Sequence, residues 1–354
     1  MTTLHYNARL MLANGQSEKI GKAVNARLAE PVLCWNPETD QVEAHAPIDW
    51  HASPGPVIFH QVVTGGGKSG KQHLPMAGHG RVWTPSGARC VDTLAIGDEL
   101  WSRRKDYRFN DDQCQLLYGS CLGDGSIRPV GTHTASFRFG HGAKQRAYLE
   151  WKHAMLSPLA GDIAVRGPGN GFFDVLACPY ALAMHKHLYG PNGRTVTAEH
   201  LARMDARALA VWYMDDGTFH GSFEHWGNGR AMICNTAMDA EGRGASLDFF
   251  ERLGLGRPHL RPNGFSFLST QTRAFHHLIA PYVHPTLDYK LHPEVRGRFA
   301  WPANPSLGTD WVDCLGPTTV VDYYPKPETR GRLGFSLTMP RNLPFFVDGV
   351  LVQG

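Results

Sequence analysis

No stretch of this chain is apolar for long enough to cross a bilayer, which excludes a helical membrane span. The opening residues, MTTLHYNARLMLANGQ, contain no apolar signal core. The seven cysteines are odd in number, scattered and never spaced as CxxC, which argues against a disulfide frame or a zinc ribbon. Histidine is plentiful at 19 residues, yet no HExxH or HxxxH spacing occurs. A phosphate loop is also missing. Residues 65–71 read GGGKSGK, but Val62 stands where the leading glycine is required and no helical pattern follows, so a basic hairpin tip is expected. These absences point to a reduced cytoplasmic protein with no membrane partner.

Charge is short too, at a formal +3, but it is unevenly placed. Residues 101–300 hold 23 Lys+Arg against 18 Asp+Glu, while the rest of the chain holds 12 against 14. Of the 23 cations 18 are arginine, the side chain suited to forked contacts with phosphate and guanine. At 354 residues the chain is long enough for a full core and two domains.

What the sequence does have is one short pattern twice. The first copy runs Leu117 to Gly125 (LYGSCLGDG) and the second Leu209 to Gly217 (LAVWYMDDG). Each is an apolar helical run ending in an acid and a glycine. If the two helices pack side by side, Asp124 and Asp216 reach the same end of the pair. A shared carboxylate pair is a site for a divalent cation.

The surrounding elements repeat as well. A helix starts near Asn110 with Gln113 placed to cap it. A strand over Thr134–Phe139, a helix over Lys144–Leu156, a strand over Gly171–Cys178 and a helix over Pro179–Tyr189 follow, with a turn at Gly190–Arg194. The order returns as a helix from Asp205 to Asp216, a strand at Arg230–Cys234, a helix at Ala245–Leu253, a strand at Gly264–Ser269 and a helix at Arg273–Tyr282. Residues 1–100 read as short strands with a hairpin turn at Ala13-Asn14-Gly15, residues 101–110 as a basic connector, and residues 312–354 as β again, with a tight turn at Asp348-Gly349.

The repeated motifs resemble those of the LAGLIDADG (dodecapeptide, DOD-type) homing endonucleases. His141–Trp151 (HGAKQRAYLEW) resembles the family segment after the first strands, and Pro281–Leu291 (PYVHPTLDYKL) the segment that brings a lysine to the active site. The flanks resemble the Hint fold of inteins: Ala13–Val24 its opening hairpin, Gly78–Leu100 the block with a key histidine, here His79, and Phe345–Val352 its last strand. The resemblance implies an α+β chain. A pseudo-twofold duplicated αββαββα endonuclease domain (103–300, halves about 111–200 and 203–300) sits within an all-β Hint-like domain split into 1–102 and 312–354.

By this resemblance the chain is a monomeric, Mg²⁺-dependent nuclease for long asymmetric sites in double-stranded DNA. Asp124 and Asp216 are the expected metal ligands and catalytic acids, with backbone carbonyls of Gly123 and Asp215 as further ligands. Lys290 is expected near the metals, and Arg194 in the matching place of the first half, able to act electrostatically but not as a base. Ser136, Arg138, Arg230, Met232 and Arg261 are the candidate DNA readers on two sheets. Val211 stands where the family often has glycine, so a looser helix contact is expected there.

The Hint part departs from its family. Thr3 aligns with the splicing nucleophile, usually Cys or Ser, and Gly354 stands where a cyclising Asn is needed. A non-splicing relic is therefore expected, with His79 structural. Two alternatives stay open: a splicing-competent intein, and a maturase-like RNA binder.

Overall fold

The computed structural model describes residues 2–65, 70–130, 133–167, 169–190, 193–221, 229–234, 238–301, 310–326 and 332–354. The chain divides into two compact units. One joins Met1–Asp106 to Trp311–Gly354, and the other is Tyr107–Asp310.

The first unit is built on one antiparallel sheet of fifteen strands among the described residues. Its halves are far apart in sequence and adjacent in the sheet: Leu4–His5 pairs with Arg332–Thr338, and Arg9–Met11 with Phe345–Val347. Side chains alternate across such strands, so one row of apolar residues per strand faces the core. Leu4, Val62, Leu74, Met76, Phe335, Val350 and Val352 supply that core from both halves. The hairpin Phe345–Val347/Val350–Val352 turns through Asp348 (φ 47°) and Gly349 (φ 79°), the two left-handed positions that a tight two-residue turn demands.

Two features of this unit differ from the sequence reading, and a third expectation, the basic hairpin tip, falls mostly outside the described residues. Residues 101–110 are not a connector, because strand Glu99–Arg108 runs through most of them. Their polar side chains are paired by the neighbouring long strand Asp310–Lys326. Arg103 forks onto Asp313 at 2.7 and 2.9 Å, and the Ser102 hydroxyl donates to the Gly316 carbonyl at 2.9 Å. A short helix, Ile20–Asn25, buries Ile20, Ala23 and Val24 where only strands were expected. Strands Phe59–Gly65 and Lys71–Ala77 pair antiparallel, but most of the glycine-rich stretch between them, 66–69, lies outside the described residues.

The second unit repeats one plan. Helix Asp111–Leu122, strands Ser126–Pro129 and Ala135–His141, helix Arg146–Leu156, strands Ala164–Arg166 and Asn170–Asp174, and helix Pro179–Leu188 make the first half. Helix Ala206–Asp216, strands Gly217–His220 and Arg230–Cys234, helix Ala240–Arg252, strands His259–Arg261 and Gly264–Ser266, and helix Ser269–Ile279 make the second. Each half has a four-stranded antiparallel sheet with the same internal order.

Local chemistry starts these helices. Asn110 and Gln113 form a reciprocal capping box, with bonds of 2.9 and 3.0 Å, and the Asp205 carboxylate accepts from the Arg207 amide at 2.7 Å. Helix Ala240–Arg252 begins five residues before the expected Ala245. Asp239 caps it at the Gly242 amide, at 2.7 Å, and the glycines of its first turns hid that start.

Candidate functional site

The two motif helices pack against each other, and glycine sets how closely. A β-carbon on Gly119 would lie 2.2 Å from the Ala208 carbonyl oxygen and 2.7 Å from Val211 Cβ. Val211 is the residue pseudo-equivalent to Gly119, and it is fully buried. The contact is therefore close rather than loose, because one glycine leaves the space that one valine fills. The same pairing recurs one turn on. A β-carbon on Gly123 would lie 2.4 Å from Asp215 Cβ and 2.8 Å from its Oδ2. The two pseudo-equivalent positions face each other with room for one side chain, and here it is a carboxylate.

At their starts the helices are tied by Arg207, which donates to Asp112 at 2.6 Å, to Asp205 at 2.6 and 2.9 Å, and to Asp111. At their ends the carbonyls lack helical partners, and the helix dipole concentrates negative charge. Arg194 donates to the carbonyls of Leu122 at 2.8 Å, Gly123 at 3.1 Å and Gly125 at 3.0 Å. Lys290 does the equivalent for the second helix, donating to Met214 O at 2.6 Å and making a 3.5 Å contact with Asp215 O. Two cations thus sit at corresponding helix ends, and the Gly123 carbonyl already holds one donor.

The carboxylate of Asp215 is the feature that the sequence reading missed. Its side chain is 0% exposed, as is that of Lys152, whose Nζ reaches both its oxygens at 2.8 and 3.0 Å. The Tyr148 hydroxyl donates to Asp215 Oδ1 at 2.9 Å, and the Asp124 amide to Oδ2 at 3.2 Å. Tyr148 and Lys152 lie four apart on helix Arg146–Leu156, so both reach the same point. The signal for this in sequence was a tyrosine and a lysine four apart in a mixed polar and apolar helix that also carries Arg146, Glu150 and His153.

Asp124, Asp215 and Asp216 crowd one region, and the two motif acids Asp124 and Asp216 shift in opposite directions. Burial and the charges of Asp124 and Asp215 push Asp216 up to about 7, against the weaker pull of Arg194 and Lys290. Burial pushes Asp124 up as well, but the His141 hydrogen bond and the fields of His141, Lys152 and Lys290 outweigh it and hold its carboxyl below the usual value. Burial lowers Lys290, with the three carboxylates opposing that shift. Asp124, His141 and Asp215 offer ligand atoms within 4.8 Å of one another, a spacing that a metal could bridge. Lys152 pairs with Asp215 and His141 lies 3.4 Å from Asp124, while Asp216 is the acid whose carboxyl is raised.

The candidate DNA readers differ in what they have to offer. The Ser136 hydroxyl is buried and donates to Val175 O at 2.6 Å. Arg138 forks onto Asp174 at 2.6 and 2.5 Å and lies over the Phe172 ring. Arg230 and Arg261 are exposed, and Met232 is half-buried. In strands Ala135–His141 and Arg230–Cys234 the alternate residues Ala135, Phe137, Phe139, Ala231 and Ile233 are in the core, so the readers share the opposite faces. In the first unit, His79 Nε2 lies 3.2 Å from Thr3 Oγ1, while Gly354 sits against the Leu343 carbonyl.

Comparison with known proteins gives this arrangement a context. The model of the LAGLIDADG DNA endonuclease family matches residues 114–244. Protein RecA of Mycobacterium shimoidei is 31% identical over 366 residues, covering 99% of this chain and 86% of that protein, a match that fits an intein inserted in RecA. Among solved structures, the homing endonuclease I-WcaI bound to its DNA recognition sequence is similar over 52% of this chain and 87% of its own, with TM-score 0.45 and 16% identity. A mutant of the Ssp DnaB mini-intein variant M86 is similar over 31% of this chain and 66% of its own, with TM-score 0.28 and 14% identity. The chain belongs to the LAGLIDADG DNA endonuclease family.

Proposed function

We propose that this chain acts as a monomer that hydrolyses one phosphodiester in each strand of a long double-stranded DNA site, with Mg²⁺ held by Asp124 and Asp216. The observation that carries the proposal is the pair of pseudo-equivalent helix ends, each bearing an acid. Asp216 is pushed to about 7 by burial and its carboxylate neighbours. A divalent cation relieves that repulsion, and hard carboxylate oxygens suit Mg²⁺. The carbonyls of Gly123 and Asp215 each keep a lone pair and are proposed as further ligands. When bound, the metal supplies an acidified water and stabilises charge on the leaving oxygen.

The chain's own residues do the rest. Lys290, anchored on Met214 O, holds positive charge beside the scissile phosphate. Arg194 does the same in the first half, without the ability to move a proton. Arg138, Arg230, Met232 and Arg261 are proposed to face the major groove on the two sheets. Ser136 would contribute only if its bond to Val175 O opens. Retention of both acids favours cleavage over maturase-like RNA binding.

The Hint unit is proposed not to splice, because the hydroxyl beside His79 belongs to Thr3, a β-branched and weak nucleophile. Expression between unrelated flanking domains tests this, and a ligated flank product would restore the splicing reading. The nuclease is tested by selecting cleaved duplexes from a randomised library with Mg²⁺. Recovery of one extended asymmetric site is expected, and recovery of none in any divalent metal overturns the proposal.

A further inference from the structure

The Hint-type unit holds a second feature that the endonuclease reading does not use. A cavity of about 380 Å³ opens on its sheet, lined by His5, Asn7, Gln61, His73, Lys326 and Arg332 together with Phe59 and Pro75. That volume lies in the range of small-molecule sites, about 300–1,000 Å³. Its walls come from strands Leu4–His5, Phe59–Gly65, Lys71–Ala77, Asp310–Lys326 and Arg332–Thr338, and no carboxylate lines it among the described residues.

Two of the lining side chains are more than nine-tenths buried and carry unsatisfied nitrogens, His5 Nε2 and Gln61 Nε2. The chemistry of each can be assigned. His5 Nδ1 accepts the Asn7 amide hydrogen at 3.2 Å, so a neutral ring carries its proton on Nε2. Burial, followed by the fields of Arg332 and Lys326, lowers the His5 pKa and keeps the ring neutral. The Gln61 amide nitrogen is likewise a donor only. Both buried groups therefore lack an acceptor, and a buried donor left unmatched costs about 1–3 kcal/mol. A water would accept from them but would add no negative charge beside two cations.

We propose that this cavity binds a phosphate group, with His5 Nε2–H and Gln61 Nε2–H donating to its oxygens and Arg332, Lys326 and His73 setting its charge preference. The group can arrive as free phosphate or a nucleotide, or as a backbone phosphate of DNA. The proposal does not depend on the assignment of Asp124 and Asp216.

Calorimetric titration of the full chain with inorganic phosphate is the test, with Arg332→Gln at an exposed position and Gln61→Leu within the buried wall. Binding by the wild type, weakened at least about tenfold in Arg332→Gln while its melting temperature holds, supports the site. Gln61→Leu tests the buried donor, and its fold is checked by circular dichroism. A duplex titration then separates the sources. A salt slope lowered by about one in Arg332→Gln assigns the pocket to the DNA backbone, and an unchanged slope assigns it to free phosphate or a nucleotide. Equal phosphate affinity in wild type and Arg332→Gln, or no phosphate binding with an unchanged duplex salt slope, overturns the proposal.

Discussion

The fully buried carboxylate of Asp215 is matched by Lys152 at 2.8 Å, and the Tyr148 hydroxyl and the Asp124 amide donate to it as well. Removing one partner of such a pair leaves the other charged and unmatched, at a cost of about 3–5 kcal/mol. Lys152→Met should therefore lose that much in urea unfolding. Lys152→Met combined with Asp215→Asn should recover most of it, because Asn keeps an oxygen for the Asp124 amide. Asp216 makes a second prediction. Its carboxyl is raised to about 7 in the folded chain, against about 3.9 when unfolded, so the folded state binds more protons between those values. Its contribution to the stability of the metal-free protein is complete below about pH 4 and falls as pH rises through 7. Asp348 shifts the same way, so melting curves of wild type and Asp216→Asn are compared: the difference should widen from pH 5 to pH 8 in favour of the variant. A constant difference contradicts the assignment. At this scale the repeated pattern pointed to the two acids, while the two helix-end cations came only from the family resemblance. It could not name Lys152, because a lysine in an amphipathic helix ordinarily faces water, and only tertiary packing brings it to Asp215.

The motif helices meet through Gly119 and Gly123, and the asymmetry of the second copy follows from that closeness. Val211 and Asp215 fill the spaces that their glycine counterparts leave, so glycine in both copies is not needed for close approach. Gly119→Ala places a methyl 2.2 Å from the Ala208 carbonyl oxygen and must separate the helices. Overpacking of this kind costs about 1–3 kcal/mol. The melting temperature should drop, and cleavage should fall further than duplex affinity because the acids move apart while the sheets stay intact. Elements with their own local signals were legible. Asn110 and Gln113 announced one motif helix, and Asp205 the other. The alternation around Phe137 and Ile233 gave the central strands. What hid were elements whose support comes from elsewhere in the chain. Strand Glu99–Arg108 reads as basic and polar until Asp313 pairs Arg103, and helix Ile20–Asn25 is too short to show a period.

For the molecule as a whole, a single sheet assembled from both ends of the chain requires the intervening unit to fold without disturbing it. That unit forms its own core, from Tyr107 to Trp301. The two halves of that unit carry one motif helix each, so a single chain supplies both acids. Sedimentation with and without duplex should accordingly give one protein chain per particle, and a dimer on DNA would contradict the monomer reading. The account rests most on Asp124 and Asp216 acting as a pair. The direct measurement is cleavage of the selected duplex by Asp124→Asn and Asp216→Asn in Mg²⁺, read beside duplex affinity for the same preparations. Each variant should lose cleavage by on the order of 10²- to 10³-fold or more while binding DNA within a few-fold of wild type. Cleavage at the wild-type rate by either variant would contradict it.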